Sequence, residues 1–172
     1  RPCHIPTALD RTGTVVHALL SGTYAGGSMD EVMARDYLAG RYWGAMDSNE
    51  EGFWNFETMN LKGEQKDCAV YLSFWLFSPR SLLLEPNMPR LDLEFAADDK
   101  LAVYVNGNLL DNAVKRQDNP ALPQRIEGIP LEKGWNHVLL KVGQLWGGWN
   151  GRFRFAATDP AYMRQLESVI MQ

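Results

Sequence analysis

The chain has 172 residues, 45% of them hydrophobic and 22% charged, which is the profile of one globular domain with enough apolar material to build a core. Its formal net charge of −4, spread without long blocks of one sign, excludes the electrostatic footprint of a protein that tracks a nucleic-acid backbone or an anionic membrane surface. The longest apolar run, "AVYLSFWLF" at 69–77, falls well short of the ~20 residues that a spanning helix needs, so neither nucleic acid nor membrane is an expected partner. The sequence begins at Arg1 with neither a methionine nor a signal peptide, and the expectation is a piece excised or processed from something longer.

Along the chain the periodicity is that of strands. "TVVHALLSG" at 14–22 is rich in β-branched residues and stops at a glycine, the pattern of a first buried strand. Ser28 and Glu31 then have the spacing of a capping box, with Val32, Met33, Tyr37 and Leu38 as an apolar stripe, predicting a helix of about 10 residues over 28–38. Residues 40–66 read as loop, with one short strand in "FWNFETMNL". "CAVYLSFWLFSP" is apolar on both faces, as in the middle of a sandwich, and Pro79 ends it. In 90–106 Leu91, Leu93 and Phe95 share one face, and Leu101, Val103 and Val105 resume it after a turn at "ADDK", which predicts a hairpin. Asn106-Gly107 suits the two positive φ angles of a type I′ turn and predicts a second, tighter one. A polar loop at 111–124 leads to three strand-like runs, "RIEGIPL", "HVLLKVG" and "RFRFAA". Asp159-Pro160 is an N-cap followed by a first-turn proline and predicts a helix along 159–172. About eight short antiparallel strands with turn signals between them point to an all-β sandwich.

The order "ADDKLAVYVNGNLL", a polar loop with a late Asp, "IPLEKGWNHVLLKV" and "GGWNGRFRF" resembles the galactose-binding-domain-like jelly rolls attached to bacterial polysaccharide-degrading enzymes. The stretch "HALLSGTYAGGSMDEVMARDYLAG" resembles the first strand and helix of those domains, so the likeness covers roughly 14–157. Lys100 stands where a glycine often follows the two aspartates, which implies a different turn there. The expected organisation is a linker or the tail of a preceding domain over 1–13, a jelly-roll domain over 14–158 and the C-terminal helix over 159–172. The resemblance also implies an extracellular or periplasmic, secreted parent that acts on polysaccharide. Such sandwiches serve as sugar-binding modules, as spacers and as walls of active sites, so the fold alone does not choose among them. They often carry a structural calcium, for which Asp98 and Asp99 are the candidate ligands, although no DxDxDG-like series accompanies them.

The chemistry-bearing residues are few. Trp135, just before a strand, is expected to pack beneath the end of the sandwich. Trp146 and Trp149 lie in a glycine-rich loop, where aromatic side chains reach the rim. A sugar offers an apolar C–H face and a ring of hydroxyls, so its site needs an aromatic platform beside amide, carboxylate or guanidinium groups. Asn150 and Arg152 adjoin the two tryptophans, and Arg116 and Asp118 in the polar loop complete the ligand-binding candidates, Arg116 as a partner for an acidic sugar. Asp98 and Asp99 read first as turn residues, otherwise as calcium ligands or acid/base carboxylates. Asp92, Glu94 and Asp118 join them as carboxylates from which glycoside hydrolysis would need one pair at a fixed separation. His4, His17 and His137 show no metal-binding spacing, "SGTYAGGS" lacks the Lys-Ser/Thr of a phosphate loop, and Cys3 and Cys68 either pair or are unrelated thiols. The leading expectation is a non-catalytic carbohydrate-binding or ancillary module with no cofactor beyond calcium. The alternatives are a domain that packs against a neighbouring catalytic domain through its aromatic loop and, behind it, a jelly-roll hydrolase or lyase.

Overall fold

A computed structural model describes residues 4–35, 43–61, 63, 65–83, 89–110, 115–116 and 122–172, with only the backbone of Arg116. In chain order the elements are β1 (His17–Ser21), β2 (Tyr24–Ala25), α1 (Met29–Ala34), β3 (Trp43–Asp47), β4 (Trp54–Asn55), a 3₁₀ turn (Phe56–Thr58), β5 (Cys68–Ser78), β6 (Leu91–Ala97), β7 (Lys100–Val105), β8 (Asn108–Leu109), β9 (Lys115–Arg116), β10 (Gln124–Ile126), β11 (Gly134–Gln144), β12 (Asn150–Ala157), α2 (Pro160–Gln165) and β13 (Glu167–Val169). They form two antiparallel sheets packed as a sandwich. The larger has the order β3-β1-β5-β11-β7-β8, with β2 and β13 also on β5 and β9 on β7; the smaller has the order β10-β6-β12-β4.

The two long strands β5 and β11 form the spine, paired from Cys68↔Gln144 to Ser78↔Gly134. Alternation sends Val70, Leu72, Phe74 and Leu76 of β5, with Val138, Leu140 and Val142 of β11, into the core. There they meet Leu91, Leu93, Phe95, Phe153 and Phe155 of the smaller sheet, and Phe74 and Phe155 touch edge-on at 6.0 Å. Cys68 is buried in this core, while Cys3 lies outside the described residues.

Several expectations change in the structure. The inward faces of 91–105 are as expected, but β6 and β7 do not form a hairpin. β6 pairs with β10 and β12 and β7 with β11, so the turn at Asp98-Asp99 carries the chain from one sheet to the other. The loop 145–149 makes the same crossing between β11 and β12. Alternation fixes which face turns inward, and two sheets facing one core read identically. The Asn106-Gly107 turn does close a tight hairpin, with both φ angles positive (51° and 82°) and Val105 paired with Asn108. β3 falls in a stretch expected to be loop; it is an edge strand on β1 whose faces alternate only weakly.

Helix α1 begins where expected, the Ser28 hydroxyl accepting from the Glu31 amide at 3.2 Å, but it ends at Ala34; Tyr37 and Leu38 of the predicted stripe lie outside the described residues. It lies on the outer face of the larger sheet, with Met29, Val32 and Met33 against Tyr24, Tyr71, Tyr104 and Leu139. Gly143 makes the approach possible, since a Cβ there would stand 2.8 Å from the Met33 sulfur. Lys141 of β11, only 1% exposed, donates from Nζ to the carbonyls of Val32 (2.7 Å), Met33 (3.2 Å) and Arg35 (2.6 Å). This ammonium adds charge-assisted hydrogen bonds to the carbonyls where the helix stops.

At the C-terminal end the Asp159 side chain accepts from the Ala161 amide at 2.9 Å and starts α2. The helix spans only Pro160–Gln165, because the pattern after it alternates: Ser168 and Ile170 turn inward and β13 pairs with β5. The chain before β1 joins this edge. Ala8 is buried, the Leu9 amide donates to Ser168 Oγ at 2.9 Å, and the Ile170 amide to the Pro6 carbonyl at 3.3 Å.

Candidate functional site

At the loop end, where the two sheet-to-sheet crossings meet, the structure separates the two loop tryptophans. Trp146 stands 70% exposed at the tip. Trp149 is corrected from the sugar-platform expectation: it is 0% exposed and packs on Phe56 at 5.2 Å, so it offers no free face for stacking. The positive φ of Gly147 (85°) lets the chain reverse, leaving one ring in water and returning the other to the core.

Beside this loop lie Asp98 and Asp99. Asp98 Oδ2 would be 3.7 Å from a Cβ on Gly148, and Asp99 Oδ2 accepts from the Leu145 amide at 2.6 Å. Partial burial, a hydrogen bond with Asp99 and the charges of Asp99 and Glu57 push the Asp98 carboxyl up to about 7. Among the described residues no three His, Cys, Asp or Glu side chains form a metal-sized group here. A cation at this turn would draw its further oxygens from carbonyls and water.

Of the other predicted ligand residues, Asn150 and Arg152 have described side chains, and both sit on β12. Asn150 opens β12, half-buried, and its carbonyl accepts from the Asp98 amide at 3.0 Å. Arg152 points to the outer face of the smaller sheet, where Nε donates to the Glu51 carbonyl at 3.0 Å and the guanidinium lies 5.9 Å from the Phe53 ring centroid. Arg116 lies in β9 with its side chain not described, and Asp118 lies outside the described residues. Asp92 and Glu94 are held in ion pairs on that same outer face: Glu94 with Arg125 (2.6 Å) and Arg154 (2.9 Å), Asp92 with Arg90 (2.8 Å).

The outer face of the larger sheet is the opposite case. Helix α1 covers it at one end, over Tyr71 and Leu139. At the other end the register places Trp135 opposite Phe77 and His137 opposite Trp75. Trp135 and Phe77 meet edge-on at 5.4 Å, and Trp75 and His137 lie at a tilt with ring centres 5.0 Å apart. Trp135, expected beneath the sandwich, is instead 38% exposed, because its strand position is odd, like His137, and points away from the core. The block spans about 7 Å along the strands and about 5 Å across them, enough for a pyranose ring or two. Polar groups surround it. His137 Nε2 and Ser73 Oγ are hydrogen-bonded at 2.7 Å, His17 and Asp47 pair at 2.5 Å on the neighbouring strands, and Glu167 is exposed on β13 beside Phe77. Burial holds the His137 imidazole below its usual pKa, which keeps it neutral near pH 7.

Trp135 also lines a cleft of about 910 Å³ between the N-terminal segment and the α2–β13 stretch, together with Leu9, Arg11, Met163, Arg164 and Glu167. Sequence reasoning missed this region. The available signal was the outward set of "YLSFWLF", Tyr71, Ser73, Trp75 and Phe77, in which a serine interrupts an otherwise apolar strand, aligned with the outward pair Trp135 and His137.

No family model and no curated protein sequence matches the chain. Among solved structures it is similar to the A domain of epithelial adhesin 9 from Candida glabrata, in complex with Galβ1-3GlcNAc, at 12% identity over 97% of each chain with a TM-score of 0.48. It is similar also to a family 35 carbohydrate-binding module from an environmental isolate, at 15% identity over 87% of this chain and 88% of that one, TM-score 0.41. A β-glucosidase from Kluyveromyces marxianus in complex with glucose matches at 13% identity and a TM-score of 0.45 over 86% of this chain, which spans 16% of the enzyme's length.

Proposed function

We propose that the chain is a non-catalytic carbohydrate-binding module, an ancillary domain of a secreted polysaccharide-active protein, and that its sugar face is the block Trp75, Phe77, Trp135 and His137. The observation that supports this reading is the aromatic pair-of-pairs on the outer face beyond α1, whose Trp135 is exposed and also lines the cleft. An aromatic patch bordered by hydroxyl, imidazole and carboxylate groups answers both requirements of a sugar, an apolar surface for its C–H face and polar groups for its hydroxyls. The test is affinity electrophoresis through gels containing plant and algal polysaccharides. Retardation by at least one polymer is expected, and Trp135→Ala and Trp75→Ala should each abolish it. Loss in Trp146→Ala with retention in both platform variants would move the site to the loop end.

The same uncovered face favours one second reading, a contact with a neighbouring domain, since aromatic residues are also enriched in protein interfaces. In that case Trp135→Ala would change hydrogen exchange in the adjoining domain of the full-length protein and leave polysaccharide retention unchanged. Calcium at the Asp98-Asp99 turn is proposed only as a brace for the loop end, and sugar binding at the platform does not depend on it.

A further inference from the structure

Eight arginines have described side chains, and six of them are engaged within the domain. Arg80 pairs with Asp159, Arg90 with Asp92, and Arg125 and Arg154 with Glu94, while Arg152 and Arg35 donate to the carbonyls of Glu51 and Gly26. Arg11 and Arg164 are the remaining two. Neither makes an ion pair or hydrogen bond among the described residues, both are exposed, and both line the cleft that Trp135 lines. They come from opposite ends of the sequence, Arg11 from the turn before β1 and Arg164 from the last turn of α2. Pairing of the N-terminal segment with the chain after α2, through Leu9 and Ser168, brings them to one cleft.

The acidic groups of the cleft do not cancel this charge. Asp10 turns its Oδ1 into its own loop, where it accepts from the Thr12 amide (2.9 Å), the Thr12 hydroxyl (2.7 Å) and the Thr14 amide (3.0 Å). Glu167 is one exposed carboxylate against two guanidiniums and is placed to accept from sugar hydroxyls. A guanidinium presents paired N–H donors that match the oxygens of a carboxylate or a sulfate bidentately. We propose that the cleft binds an anionic polysaccharide, with uronate carboxylates or sulfate esters on Arg11 and Arg164 and a sugar ring against Trp135. The inference rests on the carbohydrate-binding reading above and deepens it by naming the ligand's charge.

The experiment compares sodium polygalacturonate with neutral galactan, and carrageenan with agarose, as gel-embedded polymers and by calorimetry. One of the two anionic polymers should bind more tightly than its neutral counterpart, and added salt should weaken it, since exposed charges are screened. The double variant R11A/R164A should lose about ten-fold or more in affinity for the anionic polymer and markedly less for its neutral counterpart. Both side chains are exposed, so the variant should keep the wild-type melt. Polymer binding that R11A/R164A leaves untouched and W135A destroys overturns the charge assignment and leaves the platform standing. Binding lost in R11A/R164A yet unchanged in W135A and W75A overturns the platform instead. Absence of binding to all four polymers overturns both.

Discussion

Replacing Trp149 or Trp135 by alanine should have opposite consequences from those their neighbourhoods in the sequence suggest. Trp149 is 0% exposed and fills the core against Phe56, so truncation removes roughly 200 Å² or more of buried aromatic surface and leaves a cavity. The expected loss is about 3–5 kcal/mol. Trp135 is 38% exposed and makes its main ring contact with Phe77 at 5.4 Å; the neighbouring side chains can settle into the space, and about 1–2 kcal/mol is expected. For a chain of this size that corresponds to melting shifts of roughly 6–20 °C for Trp149→Ala and roughly 2–8 °C for Trp135→Ala. Urea unfolding at constant m-value measures both, with polysaccharide retention recorded on the same samples. Binding should be lost in Trp135→Ala while the fold survives. Equal destabilisation by the two substitutions, or a Trp149→Ala protein as stable as wild type, would refute the assignment of one ring to the core and the other to the surface.

Lys141→Met should loosen α1, since three charge-assisted hydrogen bonds to the helix end are lost; about 2 kcal/mol is expected, read as faster amide exchange over 29–35. Asp98 has a folded pKa of about 7, above its unfolded value of 3.8, so the folded state holds the extra proton between them and stability falls as pH rises through that window. Asp98→Asn should flatten that fall and be the more stable protein at pH 8; an unchanged pH slope would remove Asp98 as its origin. His137 acts with the opposite sign, because burial lowers its pKa beneath 6.5, and stability should decline as pH drops below that value; His137→Asn should remove this decline. If calcium braces the Asp98-Asp99 turn, millimolar calcium should raise the melting temperature above pH 7, where Asp98 is ionised, and EDTA should lower it; a melt indifferent to both discards the ion.

The strand pattern was legible because alternation reports which residues face a core. The inward sets Leu91, Leu93, Phe95 and Leu101, Val103, Val105 are buried as read, and Asn106-Gly107 turns where its tolerance for positive φ requires. Sheet membership was not legible, since a strand shows the same alternation whichever side of the core it covers, and so 98–99 read as a hairpin turn. The site was less legible for a related reason. In β5 both faces are apolar, one against the core and the other beneath α1 or in the open, and only three-dimensional placement of α1 tells Tyr71 from Trp75. For Trp149, glycine neighbours suggested a surface loop, whereas Gly147 reverses the chain and sends that ring inward.

The ion-paired row Arg125–Glu94–Arg154 finishes the outer surface of the smaller sheet with its own counterions, whereas the outer face of the larger sheet ends in the half-buried rings of Trp75 and Phe77 beside the exposed ring of Trp135. If the aromatic flank is the one that binds polysaccharide, as proposed, the domain would settle on an extended polymer in one orientation, with the ion-paired flank turned away. Whatever is tethered to the domain would then inherit a fixed heading over the fibre, set by two dissimilar flanks of a single sandwich.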